Sequence, residues 1–313
     1  DKIDRNCLWY KLIVTGVKGR MLNAIKTLYE DIKCCVKLNN GFGTTNTFPV
    51  TIGLKQGCKL STSLFNVYIN DLCNDLNELQ LGVKMGDNRM SLLMYADDLV
   101  LLSNTATDLQ KMLDCLTTWC NKWRMVINEK KTKIMHFRKK STRRTNFPFI
   151  CCGKSIETTE SYKYLGLWFS EFCDMTLAAK EIAKSATRAL GLLISKYKAL
   201  GGLSYQCFNK LYESNVESIL RYGAGVYGYK EYKILGSVQN RAARFVLGMN
   251  KTCSNIASRG DLGWTSWLYK QKLEVIRLCL SNIEPTRILN RIFKDICMKA
   301  ITCKLKNWEY NII

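Results

Sequence analysis

The stretch Ser91-Leu-Leu-Met-Tyr95-Ala96-Asp97-Asp98-Leu-Val-Leu-Leu102 places two adjacent aspartates between two apolar runs. Continuous apolar runs of this kind are typical of strands that are buried on both faces. The pattern therefore predicts a β-hairpin in a sheet, with Asp97 and Asp98 at its edge. A tight turn alone explains one exposed aspartate, because turns favour that residue. The second carboxylate needs a further reason.

One candidate reason is a bound cation; the alternative, which the Asp-Asp pair on its own favours, is that both aspartates belong to an ordinary turn. Two neighbouring carboxylates repel each other, and burial at a sheet edge makes the repulsion more costly. Mg²⁺ relieves the repulsion, since it prefers hard oxygen ligands and takes one or two carboxylates together with water and substrate phosphates. Two such ions about 4 Å apart activate an attacking 3′-hydroxyl and stabilise a leaving pyrophosphate. Asp97 and Asp98 are therefore candidate catalytic metal ligands for Mg²⁺, with Mn²⁺ as the alternative ion.

The surrounding sequence predicts three helices. The first covers residues 19–36, Ser61 caps the second, and Thr107 with Gln110 forms a capping box for the third. The second and third carry apolar residues at three- and four-residue steps, which indicates a buried helical face. These residues are Leu64, Phe65, Tyr68, Ile69, Leu72 and Leu76 in the second helix, and Leu109, Met112, Leu113, Leu116, Trp119, Cys120 and Trp123 in the third.

Short strands are expected between these helices. Residues 81–85 and 89–95 read as a hairpin around Gly86-Asp87-Asn88, residues 133–138 as a strand, and residues 162–170 as the end of another hairpin. Mixed helices and strands in this order predict an α+β domain, in which helices cover one face of an antiparallel sheet.

Helical periodicity dominates after about residue 170, so we expect two domains, residues 1–170 and 171–313. Apolar positions such as Ile182, Ala189, Leu193 and Tyr197 are expected in the core of the second. Gly223-Ala-Gly-Val-Tyr-Gly228 fits the pattern of a phosphate-binding loop, which requires a preceding strand. Because residues 206–222 read as a helix, these glycines are expected to end that helix.

The charge is strongly positive. The chain of 313 residues has 47 Lys and Arg against 26 Asp and Glu, a formal net charge of +21. Such an excess favours a polyanionic partner, either nucleic acid or an anionic membrane surface. Eight of the basic residues lie close together in the sequence. This segment has three interpretations: a contact with a phosphate backbone, which the net charge favours, a nuclear-localisation patch, or a solvated loop. They are Lys130, Lys131, Lys133, Arg138, Lys139, Lys140, Arg143 and Arg144.

Several classes of protein are excluded by composition. No apolar run is long enough to span a bilayer, and the first residues do not resemble a secretion signal. The 15 cysteines include no Cys-x-x-Cys pair, and the single His136 leaves the usual zinc fingers without ligands. We expect reduced, mostly buried cysteines in an intracellular protein that is nuclear, cytoplasmic or both.

Two further segments precede the aspartates: Gly53-Leu-Lys-Gln56-Gly57-Cys-Lys-Leu-Ser61 and Leu64-Phe-Asn-Val-Tyr-Ile-Asn-Asp-Leu72. Together with Tyr95-Ala-Asp-Asp98 they strongly resemble the reverse transcriptase domain of non-LTR (LINE-like) retrotransposons. The segments that follow resemble later motifs of that family in the same order, over essentially the whole chain. These are residues 123–137 with Asn128 and Lys131-Thr132, then Tyr164-Leu165-Gly166, Tyr222-Gly223 and Leu262-Gly263-Trp264.

The resemblance implies a right-hand polymerase palm in residues 1–170 and an all-helical thumb and C-terminal region in residues 171–313. It implies synthesis of DNA from dNTPs on an RNA template and a DNA primer, with two Mg²⁺ ions. By resemblance Asp97 is the ligand of both ions, Tyr95 supports the primer end, and Gln56 and Gly57 line the nucleotide pocket. Lys131 is implied to contact the triphosphate or to protonate the pyrophosphate. Tyr164, Leu165 and Gly166 resemble the turn of the hairpin that grips the primer in this family. The positive charge of the chain, rather than the resemblance, indicates the other candidate nucleic-acid contacts, which are Lys130, Lys133, Arg138, Lys139 and Lys140.

The resemblance also implies that part of the palm precedes this sequence. In the family a further catalytic aspartate ends an earlier strand, several residues before the position of Asp1, and the fingers segment lies before that strand. We therefore expect weak metal binding and little polymerase activity from residues 1–313 alone. The alternatives are a non-catalytic, basic RNA- or DNA-binding remnant of such an enzyme and a maturase- or telomerase-like relative. Oligomeric state is left open.

Overall fold

The computed structural model describes residues 2–37, 43–85, 88–281 and 290. These form two compact units, each with its own apolar core. Unit 1 consists of the described residues up to Ile134 together with Thr145–Glu157, and unit 2 of Met135–Arg144 with the described residues from Thr158 onward. The mixture of helices and antiparallel strands confirms the predicted α+β class.

Eleven α-helices lie within the described residues, four of them in unit 1. These four are α1 (Arg5–Val14), α2 (Gly19–Thr27), α3 (Lys59–Glu78) and α4 (Ala106–Trp123). Unit 2 contains α5 (Thr176–Ala199), α6 (Tyr205–Tyr212), α7 (Ser218–Arg221), α8 (Ala224–Tyr227), α9 (Lys233–Val246), α10 (Asn255–Asp261) and α11 (Trp267–Ser281). A π-helical turn at Glu213–Glu217 joins α6 to α7.

The described strands form five antiparallel pairs rather than the single sheet that the sequence predicts. Each strand has two to four residues, so each pair closes only a few ladder hydrogen bonds. The pairs are β1 (Lys33–Cys34) with β2 (Phe48–Pro49), β3 (Val83–Met85) with β4 (Asn88–Met90), β5 (Leu92–Tyr95) with β6 (Asp98–Leu101), β7 (Ile150–Cys151) with β8 (Lys154–Ser155), and β9 (Ser161–Tyr164) with β10 (Leu167–Ser170).

The helical stripes are confirmed, since packing follows the three- and four-residue spacing of the apolar side chains. In α3 the fully buried residues are Leu64, Tyr68, Leu72 and Leu76, while Phe65 and Ile69 are partly buried. In α4 every predicted position is buried except Leu109, which is partly buried. In unit 2, Ile182 and Leu193 are buried, and Ala189 and Tyr197 pack against the same core.

Three helix starts or ends differ from prediction. The helix expected over 19–36 ends at Thr27, because the chain turns at Asp31 with φ +48° and then pairs β1 with β2. Helix α3 begins two residues before Ser61, with Cys58 as its N-cap. Helix α4 is capped by Thr105, whose Oγ1 accepts from the Asp108 amide, rather than by Thr107.

Predicted strands also need correction. Residues 89–95 are split between β4 and β5, and Gly86 and Asp87 of the predicted turn lie outside the described residues. Residues 133–138 form no regular strand: Ile134 lies in an isolated β-bridge and donates its N–H to Glu157 O at 3.0 Å, and Arg138 donates its N–H to Glu171 O at 2.8 Å. Hairpin β9–β10 is confirmed, as is the helix end at Gly223, where φ is +68°.

All thirteen described cysteines are free thiols, but only Cys120 and Cys151 are buried, so the expectation of mostly buried cysteines is wrong. Cysteine is small enough to occupy half-exposed positions on helices such as α3. Within the described ranges, no helix has the length and hydrophobicity that a membrane span requires.

Candidate functional site

The two aspartates lie at the end of the β5–β6 hairpin. Tyr95 pairs with Asp98, so Ala96 and Asp97 form a two-residue turn. Ala96 has φ +53°, a left-handed conformation that a non-glycine residue rarely adopts. Backbone strain of this kind persists where the surrounding structure holds it, often at functional sites.

One face of this hairpin packs on the core and the other is open. Leu92, Leu99 and Leu101 pack against the core of unit 1. Leu93 and Tyr95, on the opposite face, are 41% and 65% exposed. Because directly paired residues share a face, Asp98 lies on the open face beside Tyr95.

Asp97 and Asp98 are therefore exposed, and the prediction of strands buried on both faces is wrong. Desolvation does not explain the paired acids in this hairpin. The exposed carboxylates do fit a divalent ion, because adjacent hard oxygen donors reach solvent, where an ion and a nucleotide can meet them. In the described part of the chain, no group of three or more His, Cys, Asp or Glu is arranged to hold a metal.

The segment with Gln56 and Gly57 is an exposed turn that leads into α3. Gly57 has φ +79°, which explains the glycine, and a Cβ atom there would touch nothing. Arg5 holds the start of the segment: its Nε donates to Gly53 O at 3.0 Å and its Nη1 to Tyr29 O at 3.0 Å. Sequence reasoning did not find Arg5, since a lone arginine in α1 has no distinguishing pattern.

Ser61 has a different role from the predicted cap. Its Oγ donates to Lys55 O at 2.7 Å and lies 3.1 Å from the Tyr29 hydroxyl, so it ties the turn to α3. At the N-terminus of α3, the amides of Leu60 and Ser61 lower the pKa of the Cys58 thiol. The predicted nucleotide-pocket turn is thus anchored at both of its ends within unit 1.

The basic residues 130–144 are divided between the two units. In unit 1, Lys130 and Lys131 lie exposed in a turn, and Lys133 pairs with Glu157 at 2.5 Å. In unit 2, Lys139, Lys140 and Arg143 are exposed.

Two arginines of unit 2 share one buried acid. Arg138 and Arg144 each make two hydrogen bonds to the Glu171 carboxylate, at 2.8–2.9 Å. Arg144 also pairs with Glu160 at 2.9 Å. Glu171 therefore ties down both ends of loop 138–144, which leaves Lys139, Lys140 and Arg143 as its outward charges.

This arrangement predicts an acid-sensitive loop. Hydrogen bonds from Arg144 and Arg138 hold the pKa of Glu171 at about 2, below the ordinary value of 4.5. Because the pKa of Glu171 is lower in the folded than in the unfolded state, its ionised carboxylate stabilises the fold at pH values above about 4.5. This stabilisation is lost as the pH falls from about 4.5 towards 2, where the carboxylate becomes protonated in the folded state. We expect the amide protection factors of residues 138–144, which are exchange rates corrected for the pH dependence of the intrinsic rate, to fall over this range. In Glu171→Gln we expect them to be already low at pH 7. An unchanged exchange rate in Glu171→Gln would contradict this role.

Two segments that are distant in sequence meet within unit 2. The Tyr222 hydroxyl donates to Leu165 O, in the turn of Tyr164-Leu165-Gly166. Leu262-Gly263-Trp264 instead ends helix α10, where Gly263 has φ +66°. Trp264 stacks on Tyr212 with ring centroids 4.6 Å apart, so this segment is part of the core packing.

Helix α5 carries a basic stripe that sequence reasoning missed. Lys180, Lys184 and Arg188 are exposed at four-residue steps along one side of the helix, and Lys196 is exposed nearer its C-terminal end. Successive positions four residues apart rise by about 6 Å along a helix axis. The signal was present in the sequence as a four-residue spacing of cations, opposite the apolar positions.

Comparison with known proteins gives one family and several relatives. The family model described as "Reverse transcriptase (RNA-dependent DNA polymerase)" matches residues 1–169. The chain is 32% identical over 182 residues to the "Retrovirus-related Pol polyprotein from type-1 retrotransposable element R2" of Popillia japonica, covering 56% of this chain and 28% of that protein. It is 29% identical over 117 residues to the "Transposon TX1 uncharacterized 149 kDa protein" of Xenopus laevis, covering 37% and 9%.

A third relative, the "Retrovirus-related Pol polyprotein from type-2 retrotransposable element R2DM" of Drosophila melanogaster, is 29% identical over 114 residues, covering 36% of this chain and 10% of that protein. The matched part of the chain thus spans little more than a quarter of the R2 protein of Popillia and about a tenth of the other two relatives.

Proposed function

The chain belongs to the reverse transcriptase (RNA-dependent DNA polymerase) family, and on that basis we propose that it is the polymerase part of a non-LTR retrotransposon enzyme. It extends the 3′-end of a DNA primer along an RNA template, with dNTPs as substrates. Residues 1–170 form the palm and residues 171–313 the thumb and C-terminal region. Its location is intracellular, in the nucleus, the cytoplasm or both.

The observation that carries this proposal is the β5–β6 hairpin inside the matched region. Its two-residue turn presents Asp97 and Asp98 next to each other and open to solvent, with Tyr95 on the same face as Asp98. A buried structural pair of acids would instead have basic partners. Among the described residues, no salt bridge involves either aspartate.

Each site residue has a proposed role. Asp97 and Asp98 hold Mg²⁺, which when bound supplies charge stabilisation for nucleotidyl transfer. Tyr95 supports the primer end from the open face of the hairpin. Gln56 and Gly57 line the nucleotide pocket on the turn that Arg5 anchors, and Lys131 contacts the triphosphate.

Nucleic-acid contacts are proposed from exposed charge. Lys130, Lys139 and Lys140 bind the phosphate backbone, and the stripe on α5 adds a second row of cations. Arg138 and Lys133 take part less directly, because Glu171 and Glu157 already neutralise them. The turn Tyr164-Leu165-Gly166 contacts the primer.

Primer extension tests the proposal. We expect residues 1–313 alone to extend a DNA primer on RNA poorly in Mg²⁺, because Asp97 and Asp98 lack a third carboxylate ligand within the described residues. A longer chain that carries a further palm segment before residue 1 is expected to synthesise DNA, with the same primer, template and Mg²⁺. Robust synthesis by residues 1–313 would contradict the expected impairment, and no synthesis by the longer chain would contradict the polymerase function.

A second candidate is a non-catalytic RNA- or DNA-binding remnant, favoured by the exposure of both aspartates and by the net charge of +21. It binds nucleic acid in a salt-dependent way without any DNA synthesis, even from the longer chain. The primer-extension experiment therefore separates the two candidates.

A further inference from the structure

We propose that Tyr222 is a positioning residue that holds the turn Tyr164-Leu165-Gly166 in the shape that meets the primer end. The inference rests on the proposed function for the identity of the ligand. That Tyr222 fixes the shape of the turn is inferred only from contacts within unit 2.

The turn is strained and needs an external hold. Tyr164 pairs with Leu167, so Leu165 and Gly166 form a two-residue turn, with φ +44° and +84°. Positive φ at both positions suits the right-handed twist of a hairpin, but it is unfavourable for a leucine. A residue held in this region indicates that surrounding contacts fix it.

Tyr222 contacts both turn residues. Its hydroxyl donates to Leu165 O, so the strained residue is held through its own carbonyl. Its ring lies against Gly166, where a Cβ atom would come within 2.9 Å of the ring carbon Cε1. Glycine at 166 thus serves two needs, the positive φ and the close approach of the tyrosine ring.

Gly223, which follows Tyr222, makes a second contact with the hairpin. Gly223, with φ +68°, packs so closely on β10 that a Cβ atom there would lie 2.6 Å from Leu167 Cδ1. The pair Tyr222-Gly223 therefore spans the turn and the start of the following strand. This explains why the sequence has glycine both at 166 and at 223.

Tyr222 follows a segment that is fixed by buried residues and ion pairs. It follows helix α7, in which Leu220 is fully buried, and the buried Glu217 just before α7 pairs with Arg221 and Lys270 at 2.6 Å. The tyrosine ring nevertheless remains 52% exposed, and Leu165 is 38% exposed. The turn and the ring that holds it thus share one solvent-facing surface, on which a primer end can bind.

The chain offers a matched control for removal of the hydroxyl. Tyr205, also in unit 2, donates its hydroxyl to Leu262 O at 2.7 Å and is 42% exposed. Tyr222→Phe and Tyr205→Phe each remove one tyrosine-to-carbonyl hydrogen bond and keep the ring. Both variants are expected to fold.

Two measurements on residues 1–313 test the inference. The first is hydrogen–deuterium exchange of residues 164–167. The second is the ratio of affinities for an RNA template annealed to a DNA primer with a recessed 3′-end and for the same RNA alone. For Tyr222→Phe we expect faster exchange in the turn and a preference for the recessed end that falls about fivefold, the equivalent of one net hydrogen bond. Tyr205→Phe is expected to change neither.

Three other results are possible, and each contradicts a different step of this inference. Unchanged exchange in Tyr222→Phe shows that the hydroxyl does not hold the turn, and leaves the proposed function intact. Faster exchange with an unchanged affinity ratio shows that the turn does not meet the primer end, so the positioning role is wrong. If the unsubstituted chain binds neither nucleic acid, the proposed function fails and this inference fails with it.

Discussion

In a chain that carries a further palm segment before residue 1, Asp97→Asn is expected to reduce DNA synthesis by at least about 10²-fold. The amide keeps the shape of the side chain but removes the charge that attracts a divalent ion. A bound metal supplies several kcal/mol of charge stabilisation, and each 1.36 kcal/mol corresponds to a tenfold change in rate. Primer extension on an RNA template under single-turnover conditions measures the loss.

The matched control for this variant is Asp31→Asn. Asp31 is an exposed turn aspartate of the same unit, and asparagine tolerates its φ of +48°. We expect full synthesis from Asp31→Asn and unchanged nucleic-acid affinity in both variants, because neither aspartate contacts the exposed lysines. If Asp97→Asn synthesises DNA as fast as Asp31→Asn, then Asp97 is not a catalytic ligand.

The hairpin with the two aspartates could be predicted from sequence, but its exposure could not. Alternating turn and strand signals lie within twelve residues, so local pattern is sufficient to place β5, the turn and β6. Which face is buried depends on the elements packed across it, and Leu93 is as apolar as Leu92 although only Leu92 meets the core. An apolar run therefore does not distinguish one buried face from two.

The buried faces of the helices could be predicted from the spacing of their apolar residues, but where a helix ends depends in one case on strand pairing with a distant segment. The stripes of α3 and α4 were predictable because apolar residues three and four apart must share a face. The helix expected to continue to residue 36 ends early, because Lys33 and Cys34 pair with Pro49 and Phe48. No local signal in residues 19–36 reveals a partner that lies farther along the chain.

The burial and the ion-pair partners of charged residues were the hardest features to predict from the sequence. Each interpretation of the basic loop 138–144 assumed exposed cations, yet two of its arginines converge on the buried Glu171, which lies many residues away in the sequence. Lys11 is a second case, since a lysine on a short helix is ordinarily an exposed residue. It is only 5% exposed in the structure.

Lys11 joins three helices inside unit 1. From α1 its Nζ pairs with Asp71 Oδ1 of α3 at 2.6 Å and donates to Tyr68 O. The same nitrogen lies 3.8 Å from the ring centroid of Trp123 and 4.6 Å from those of Tyr68 and Trp119. Burial lowers the pKa of Lys11, and its ion pair with Asp71 acts in the opposite direction.

Lys11→Ala is expected to destabilise unit 1 by about 3 kcal/mol, the lower end of the range for breaking a buried ion pair. The lower end applies because Asp71 is 36% exposed and keeps its hydrogen bond from Trp119 Nε1. Since the two units need not unfold together, a single melting temperature is a poor measure. Hydrogen exchange of α1, α3 and α4 under increasing denaturant reports on unit 1 alone.

Lys122→Ala is the matched control, because Lys122 Nζ lies 5.2 Å from the centroid of the same Trp123 ring but the residue is exposed. We expect it to cost less than about 0.5 kcal/mol. Lys11→Met separates the ammonium group from the volume: it refills the space among the three rings, and it leaves Asp71 without its cation and Tyr68 O without this donor. If Lys11→Met is as costly as Lys11→Ala, the ion pair stabilises unit 1; if it restores most of the stability, the packing of the lysine chain among the aromatic rings does. A cost for Lys11→Ala no larger than that of Lys122→Ala would contradict both, and would mean that α1 is held to α3 and α4 by its apolar residues alone.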